Sequence, residues 1–380
     1  MTRETQGGRA RTLAVLYPAF ALTGILHSIG GPLMPSIAAS FHLRDSQSGL
    51  LFFLYFGGSS VGAMLCRWNY ARSMSIGFAG AAACCLGVAV TGPATLPVVF
   101  FLLGIGVGVP MSAISLYVGR AFPERCAPLL TFLNFVWSAG ALVAPLVAAR
   151  ILLHHTYRSA YEWMAIPSLI ASIACGVLLK DAPEPSHTYS GSARANSLAL
   201  IAAFALAAFL QVGVENTSTA WLSTYVMREA GIGAALAAAA TSIYWIGFLA
   251  SRGLCSALLL RARTRSVFLV AVGVALVASV MLAVEPSAAG NRVAMLLLGV
   301  GLAPIYPLLI AEFLARASHT SEARWVMATA GFGGSVTPWL AGWISSRTGS
   351  LRMGMLTVPV SIALMVVLLP VLRNHRTESA

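Results

Sequence analysis

Apolar runs recur along the whole chain, parted by short polar breaks, and each is close to the ~20 residues a helix needs to cross a bilayer. The pattern predicts twelve spans, starting near Leu13, Ser48, Met74, Leu96, Leu129, Tyr161, Ser197, Ala234, Arg265, Asn291, Ala323 and Leu351. No ~10-residue alternation of apolar and polar positions occurs, so helices rather than barrel strands are expected. The expected fold is therefore all-α and integral to a membrane.

One polar break is longer than the rest, Lys180 to Asn196, and it lies almost at the midpoint. It predicts an N-terminal six-helix half over residues 1–180, a linker over 181–196 and a C-terminal six-helix half over 197–380. The halves echo each other in order. Tyr55, Gly58 and Cys66 recur as Tyr244, Gly247 and Cys255; Gly104 and Gly106 recur as Gly299 and Gly301; Gly140 and Pro145 recur as Gly333 and Pro338. Twelve transmembrane helices in two pseudo-symmetric halves, with a polar site near the midplane, is an architecture of secondary transporters. Glycine and proline in facing helices permit the close approach and bending that rocking halves need. The same residues would also serve twelve helices packed through ordinary small-residue contacts.

Composition agrees with a membrane solvent. Hydrophobic residues make up 58% of the chain and charged residues 9%, with a mean hydropathy of +0.81. A soluble domain carries about 25% charged residues, so too few are present to cover a water-facing surface. The net charge of +12 is an orientation signal. With the N-terminus inside, seventeen of the 24 Lys and Arg fall on the inner side and seven on the outer, which predicts cytoplasmic termini and a bacterial inner-membrane location. No basic face with interleaved aromatics is present, so nucleic acid is not an expected partner. The first ten residues resemble a charged leader, but no small-residue cleavage site follows a short apolar core, so the first span is expected to be retained.

Glu215 is the most informative side chain. From Ser197 to Val226 the only other ionisable group is Tyr225. A charge at the bilayer centre costs at least ~2.5–3.5 kcal/mol, so acids kept there usually carry function. At about 1.5 Å per residue Glu215 lies ~27 Å into a span ~45 Å long. Gly213 and the run Asn216-Thr217-Ser218-Thr219 predict a helix that loosens there and exposes backbone groups to a cavity. Such an acid can load and release a proton, or stay neutral and hydrogen-bond a neighbouring helix. His27 aligns with Asn216 between the halves, so an imidazole is expected at a depth close to that of Glu215, as a second proton site or a packing residue. Asn134, Trp137, Gln211, Asn216, Trp221, Tyr225, Tyr244 and Trp245 are candidates to bind solute: aromatic faces stack on sugar rings, and amides match hydroxyl groups. Trp221 and Tyr225 equally suit an outer interfacial belt.

Several motifs resemble the fucose–proton symporter branch of the major facilitator superfamily. They are Gly31-Pro32-Leu33-Met34-Pro35, the Gly213-x-Glu215-x5-Trp221-x3-Tyr225 pattern, Gly299-x-Gly301-x2-Pro304-x-Tyr306-Pro307 and Gly333-x4-Pro338-Trp339. The resemblance runs from Gly31 to Gly349 and implies a cation-coupled transporter working by alternating access, with Glu215 and His27 as coupling residues. The loop Gly62–Tyr70 departs from the family's gating pattern, keeping Arg67 but lacking the acid, and the copy at Gly342–Gly349 keeps Arg347 and Gly349. Arg67, Arg72, Arg252 and Arg347 are the gating candidates. Span five (Gly140…Pro145) also resembles an exporter motif.

The expected function is proton-coupled symport of a small polar solute such as a sugar. The alternatives are an exporter of amphiphilic compounds in the same fold and a non-transporting membrane sensor. No phosphate-cradling loop, nucleophile elbow or metal-ligand spacing occurs, and the six cysteines show no zinc pattern. An enzyme, a cofactor and a metal are accordingly not expected. The driving force is a proton or sodium gradient, the partners are solute and the lipid bilayer, and the working unit is a monomer.

Overall fold

A computed structural model of the chain describes residues 3–66, 69–180, 198–259, 261–284, 287–314 and 320–374. Helices account for nearly all of them, and no strand occurs among the described residues. In order they are α1 (Arg3–Ser28), α2 (Gly30–Phe41), α3 (Asp45–Leu65), α4 (Tyr70–Val90), α5 (Leu96–Ala121), α6 (Cys126–Leu152) and α7 (Tyr157–Leu178). Then follow α8 (Leu198–Ala230), α9 (Ala234–Leu258), α10 (Thr264–Val284), α11 (Ala288–Leu314), α12 (Thr320–Thr348), α13 (Leu351–Met355) and α14 (Thr357–Asn374).

Two breaks subdivide expected spans, and proline explains both. Pro32 has no N–H for the Ser28 carbonyl and its ring crowds that oxygen, so the first span parts at Ile29 into α1 and α2. Pro359 does the same to the Met355 carbonyl, and the last span parts at Leu356. Other helix ends have local causes. Asn69 caps α4 by accepting the Arg72 backbone N–H at 2.8 Å, which satisfies one orphan donor of the first turn. Gly231 and Gly349 adopt φ of 63° and 71° just after α8 and α12, the left-handed conformation that terminates helices at little cost in glycine.

Among the described residues, eleven helical segments are long and apolar enough to cross a membrane, with α1 and α2 counting as one and α13 and α14 as another. The expected span near Ala323 is α12, a continuous helix of 29 residues. Outward faces are apolar rather than charged. On α7, Ile166, Leu169, Ile170, Ile173 and Val177 repeat every three or four residues and are each more than half exposed. Such a stripe requires hydrocarbon as solvent.

The chain divides into two compact units. One comprises Met1–Phe41, Leu54–Thr188 and Ala234–Ala239, the other His42–Phe53, Tyr189–Gly233 and Ala240–Ala380. The units differ from the expected halves by short segments at the starts of α3 and α9, and the expected linker 181–196 lies outside the described residues. Within each unit the echoed glycines make equivalent contacts. Gly104 on α5 lies against the backbone of Tyr55 and Ser59 on α3, while Gly299 on α11 lies against Tyr244 and Phe248 on α9. Gly140 on α6 meets Ala21 on α1, and Gly333 on α12 meets Phe209 on α8. In all four a Cβ would overlap a neighbouring main-chain oxygen, so hydrogen is the only side chain that lets these helix pairs approach so closely.

Candidate functional site

The second unit gathers its polar groups around α8. Glu215 is half-buried on that helix. It interacts electrostatically with Arg252 and Tyr244 on α9 and with Tyr306 on α11. Tyr244, Phe248 and Arg252 follow one another at four-residue spacing, so they share one face of α9. Their rings form a ladder. Tyr244 and Phe248 have centroids 5.8 Å apart, Trp245 lies 5.1 Å from each of them, and the Arg252 guanidinium sits 4.6 Å from the centre of Phe248. The aromatic face holds the cation, and the cation's field reaches the acid.

Gln211 lies one turn before Glu215 on α8. Its Nε2 donates to the Leu302 carbonyl of α11 at 3.1 Å, and its Oε1 is buried with no hydrogen-bond partner among the described residues. The Tyr244 hydroxyl is in the same condition. Buried polar atoms are ordinarily paired, so these two, near the half-buried acid, remain available to a further hydrogen-bonding group. Asn216, by contrast, donates its amide to the Gly334 carbonyl of α12 at 3.1 Å and ties two helices together.

The loosening expected after Gly213 does not occur, and α8 runs unbroken from Leu198 to Ala230. The hydroxyls of Thr217, Ser218 and Thr219 instead fold back onto the carbonyls of Gly213, Val214 and Glu215, at 2.7, 2.9 and 2.9 Å. A hydroxyl with no water beside it takes the carbonyl four residues back, which satisfies it without opening the helix.

Trp221 and Tyr225 are fully buried. Trp221 donates its indole N–H to the Pro338 carbonyl at 2.8 Å, and the Tyr225 hydroxyl donates to the Leu282 carbonyl. Both polar atoms are committed to main chain. In the first unit, His27 on α1 is surrounded by Phe56, Trp137 and Tyr55, with ring centroids at 5.1, 5.3 and 6.2 Å. Asn134 is exposed on α6 and donates to its own helix at Leu130, 2.9 Å away. His27 and Glu215 thus belong to different units, each with its own aromatic surroundings.

Among the gating candidates, Arg67 lies outside the described residues. Arg72 is exposed in the first turn of α4. Arg347 lies over Trp343 of its own helix, 5.3 Å from the ring centre. Arg252 stands in the Glu215 cluster, a placement that its sequence neighbourhood, an apolar helix followed by a basic loop, does not disclose. Two ion pairs also went unread in the sequence. Arg228 makes a two-pronged contact with Asp45, 2.7 Å at each prong, and Ser345 donates to the same carboxylate. Arg352 pairs with Glu229.

Apolar outward faces, two bundles built on the same glycine contacts, and an acid–guanidinium pair inside one of them define a polytopic membrane transport protein. The family model described as Major Facilitator Superfamily matches residues 16–324, and the chain belongs to that superfamily. It is a membrane transporter, not an enzyme. A glucose/galactose transporter of Brucella abortus biovar 1 (strain 9-941) is 25% identical over 371 residues, covering 87% of this chain and 86% of the relative. Among solved structures, a D-xylose–proton symporter is 14% identical with a TM-score of 0.77, covering 93% of this chain and 96% of its own. A point variant of the E. coli fucose:proton symporter is 18% identical with a TM-score of 0.64, covering 95% and 98%. These likenesses establish the fold that the motifs implied.

Proposed function

We propose that the protein is a proton-coupled symporter of a small polar solute, a sugar or a sugar-like polyol, and that Glu215 couples the two. The observation that carries this reading is the cluster of Glu215, Arg252, Tyr244 and Gln211 within one unit, an acid within electrostatic reach of a cation together with two open hydrogen-bonding atoms. The carboxylate and the guanidinium attract each other, and protonation of Glu215 releases Arg252 to other partners. A hydroxylated solute bound at Tyr244 and Gln211 changes the surroundings of both charges, which links occupancy to protonation. Similarity to a glucose/galactose transporter supports the substrate class. His27 with Trp137 and Tyr55 is the corresponding aromatic site of the first unit, and Arg72 and Arg347 remain gating candidates. The charge distribution of the loops supports cytoplasmic termini and an inner-membrane location, and the monomer is the working unit.

The test is Glu215→Gln in reconstituted vesicles of known orientation. Proton-driven accumulation of the transported sugar should fall about tenfold or more, equivalent to ~1.4 kcal/mol of lost coupling, while solute exchange without a gradient persists. Full accumulation in the variant would remove Glu215 from the coupling step. Net efflux under the same gradient would favour an exporter.

A further inference from the structure

A cavity of about 340 Å³ lies between α9, α10 and α11, and Glu215 is not among its lining residues. Leu254 and Leu258 of α9, Val267 and Val270 of α10 and Pro304 of α11 line it. Its floor is made of small residues, Ser251, Ala271 and Gly301. Of the two lining hydroxyls, Ser251 is already used, donating to the Val300 carbonyl at 2.7 Å, and Ser266 lies at the end beside the α9–α10 turn. A sugar would find almost nothing to bond there, and water gains little in an apolar recess. An alkyl chain suits it. The groove opens sideways, where Leu254 is 70% and Val270 64% exposed, on the apolar outer surface.

The end of the groove nearest the α9–α10 turn is different. Arg261, Arg263 and Arg265 are all exposed there, within five residues and directly beside the lining residues Ala262 and Ser266. No ion pair to any of the three is found among the described residues. An apolar slot facing hydrocarbon, with three exposed arginines on the turn beside one end, is complementary to a molecule with an anionic head and an apolar tail. Basic groups at the membrane surface attract anionic lipids, and the planar guanidinium fork matches phosphate geometry. Along α10 the lining from Ser266 to Val274 extends ~12 Å, enough to seat the upper part of an acyl chain.

We infer that this groove is a binding site for one anionic phospholipid, its acyl chain between α9, α10 and α11 and its phosphate on Arg261, Arg263 and Arg265. The site is separate from the solute cluster, so its test does not depend on which solute is carried. Native mass spectrometry of the purified full chain would compare phosphatidylglycerol with phosphatidylcholine of identical acyl chains. Phosphatidylglycerol should be retained about tenfold more tightly, and the triple variant Arg261→Gln, Arg263→Gln, Arg265→Gln should abolish that preference. Val270→Trp, which fills the groove from its exposed side, should weaken retention of phosphatidylglycerol with the arginines intact. Because both variants lie on exposed positions, melting temperature in lipid-free detergent should stay unchanged. Equal retention of the two lipids, or a preference that survives the triple variant, would overturn the inference. So would undiminished binding to Val270→Trp, or displacement of the lipid by glycerol phosphate alone, since either would place the ligand on surface arginines without the groove.

Discussion

Glu215 could be singled out from sequence because it stands alone among apolar neighbours, and isolation is a one-dimensional property. Its partner could not. Arg252 lies on the next helix, and only the folded arrangement, with α8 and α9 both packed on α11, brings the guanidinium into the field of the acid. One clue was present, the four-residue spacing of Tyr244, Phe248 and Arg252, which aligns them on a single helix face. If the two charges act as a unit, a double-mutant cycle will reveal it. Arg252→Gln should impair accumulation on its own, and Glu215→Gln with Arg252→Gln should be no worse than the poorer single variant, with a coupling of ~0.5–3 kcal/mol. Additive losses in transport assays would show that the pair does not work together. Trp221 and Tyr225 illustrate the opposite case. Their sequence signature suits a solute site, but their polar atoms are spent on the Pro338 and Leu282 carbonyls.

At the scale of elements, apolar length predicts where helices lie, whereas proline accounts for the breaks at Ile29 and Leu356 but not for which prolines break a helix, since Pro110, Pro145 and Pro338 lie inside helices that run on. Serine and threonine mislead more easily. In α8 they looked like loosening residues, yet in a dry helix they bond to the preceding turn. The start of α3 shows a tie that no periodicity reveals. Asp45, in its first turn, holds Arg228 near the end of α8 and accepts from Ser345 of α12. The arginine is 43% exposed, so the pair is partly screened and is worth no more than ~1 kcal/mol. Asp45→Asn should lower the melting temperature slightly, and the loss should shrink as salt is raised. A salt-independent loss would assign Asp45 a packing role instead.

The whole molecule repeats one helix-packing scheme in two units. Gly104 and Gly299 occupy equivalent contacts, as do Gly140 and Gly333. Matching perturbations should therefore have matching consequences. Gly104→Val and Gly299→Val each force a side chain into a neighbouring helix backbone, and overpacking of this kind costs about 1–3 kcal/mol or more. Both variants should lose folded yield to a similar degree in detergent extraction and thermal-shift assays. A severe effect in one and none in the other would mean that the repeat is only formal.

Hydropathy, charge placement and repeated glycines, all properties of the chain as a line, determined that this protein spans a membrane, that it is helical, and that its two halves are related. They also picked out Glu215, because burial of a lone acid is costly wherever it occurs. The tertiary structure decided which groups meet it. Helix rotation about its axis brought Arg252, Tyr244 and Tyr306 within its electrostatic reach, left Gln211 and Tyr244 with open polar atoms, and gave the polar atoms of Trp221 and Tyr225 main-chain partners. Rotation depends on how side chains of one helix fit the grooves of the next, and that fit exists only after the chain has folded.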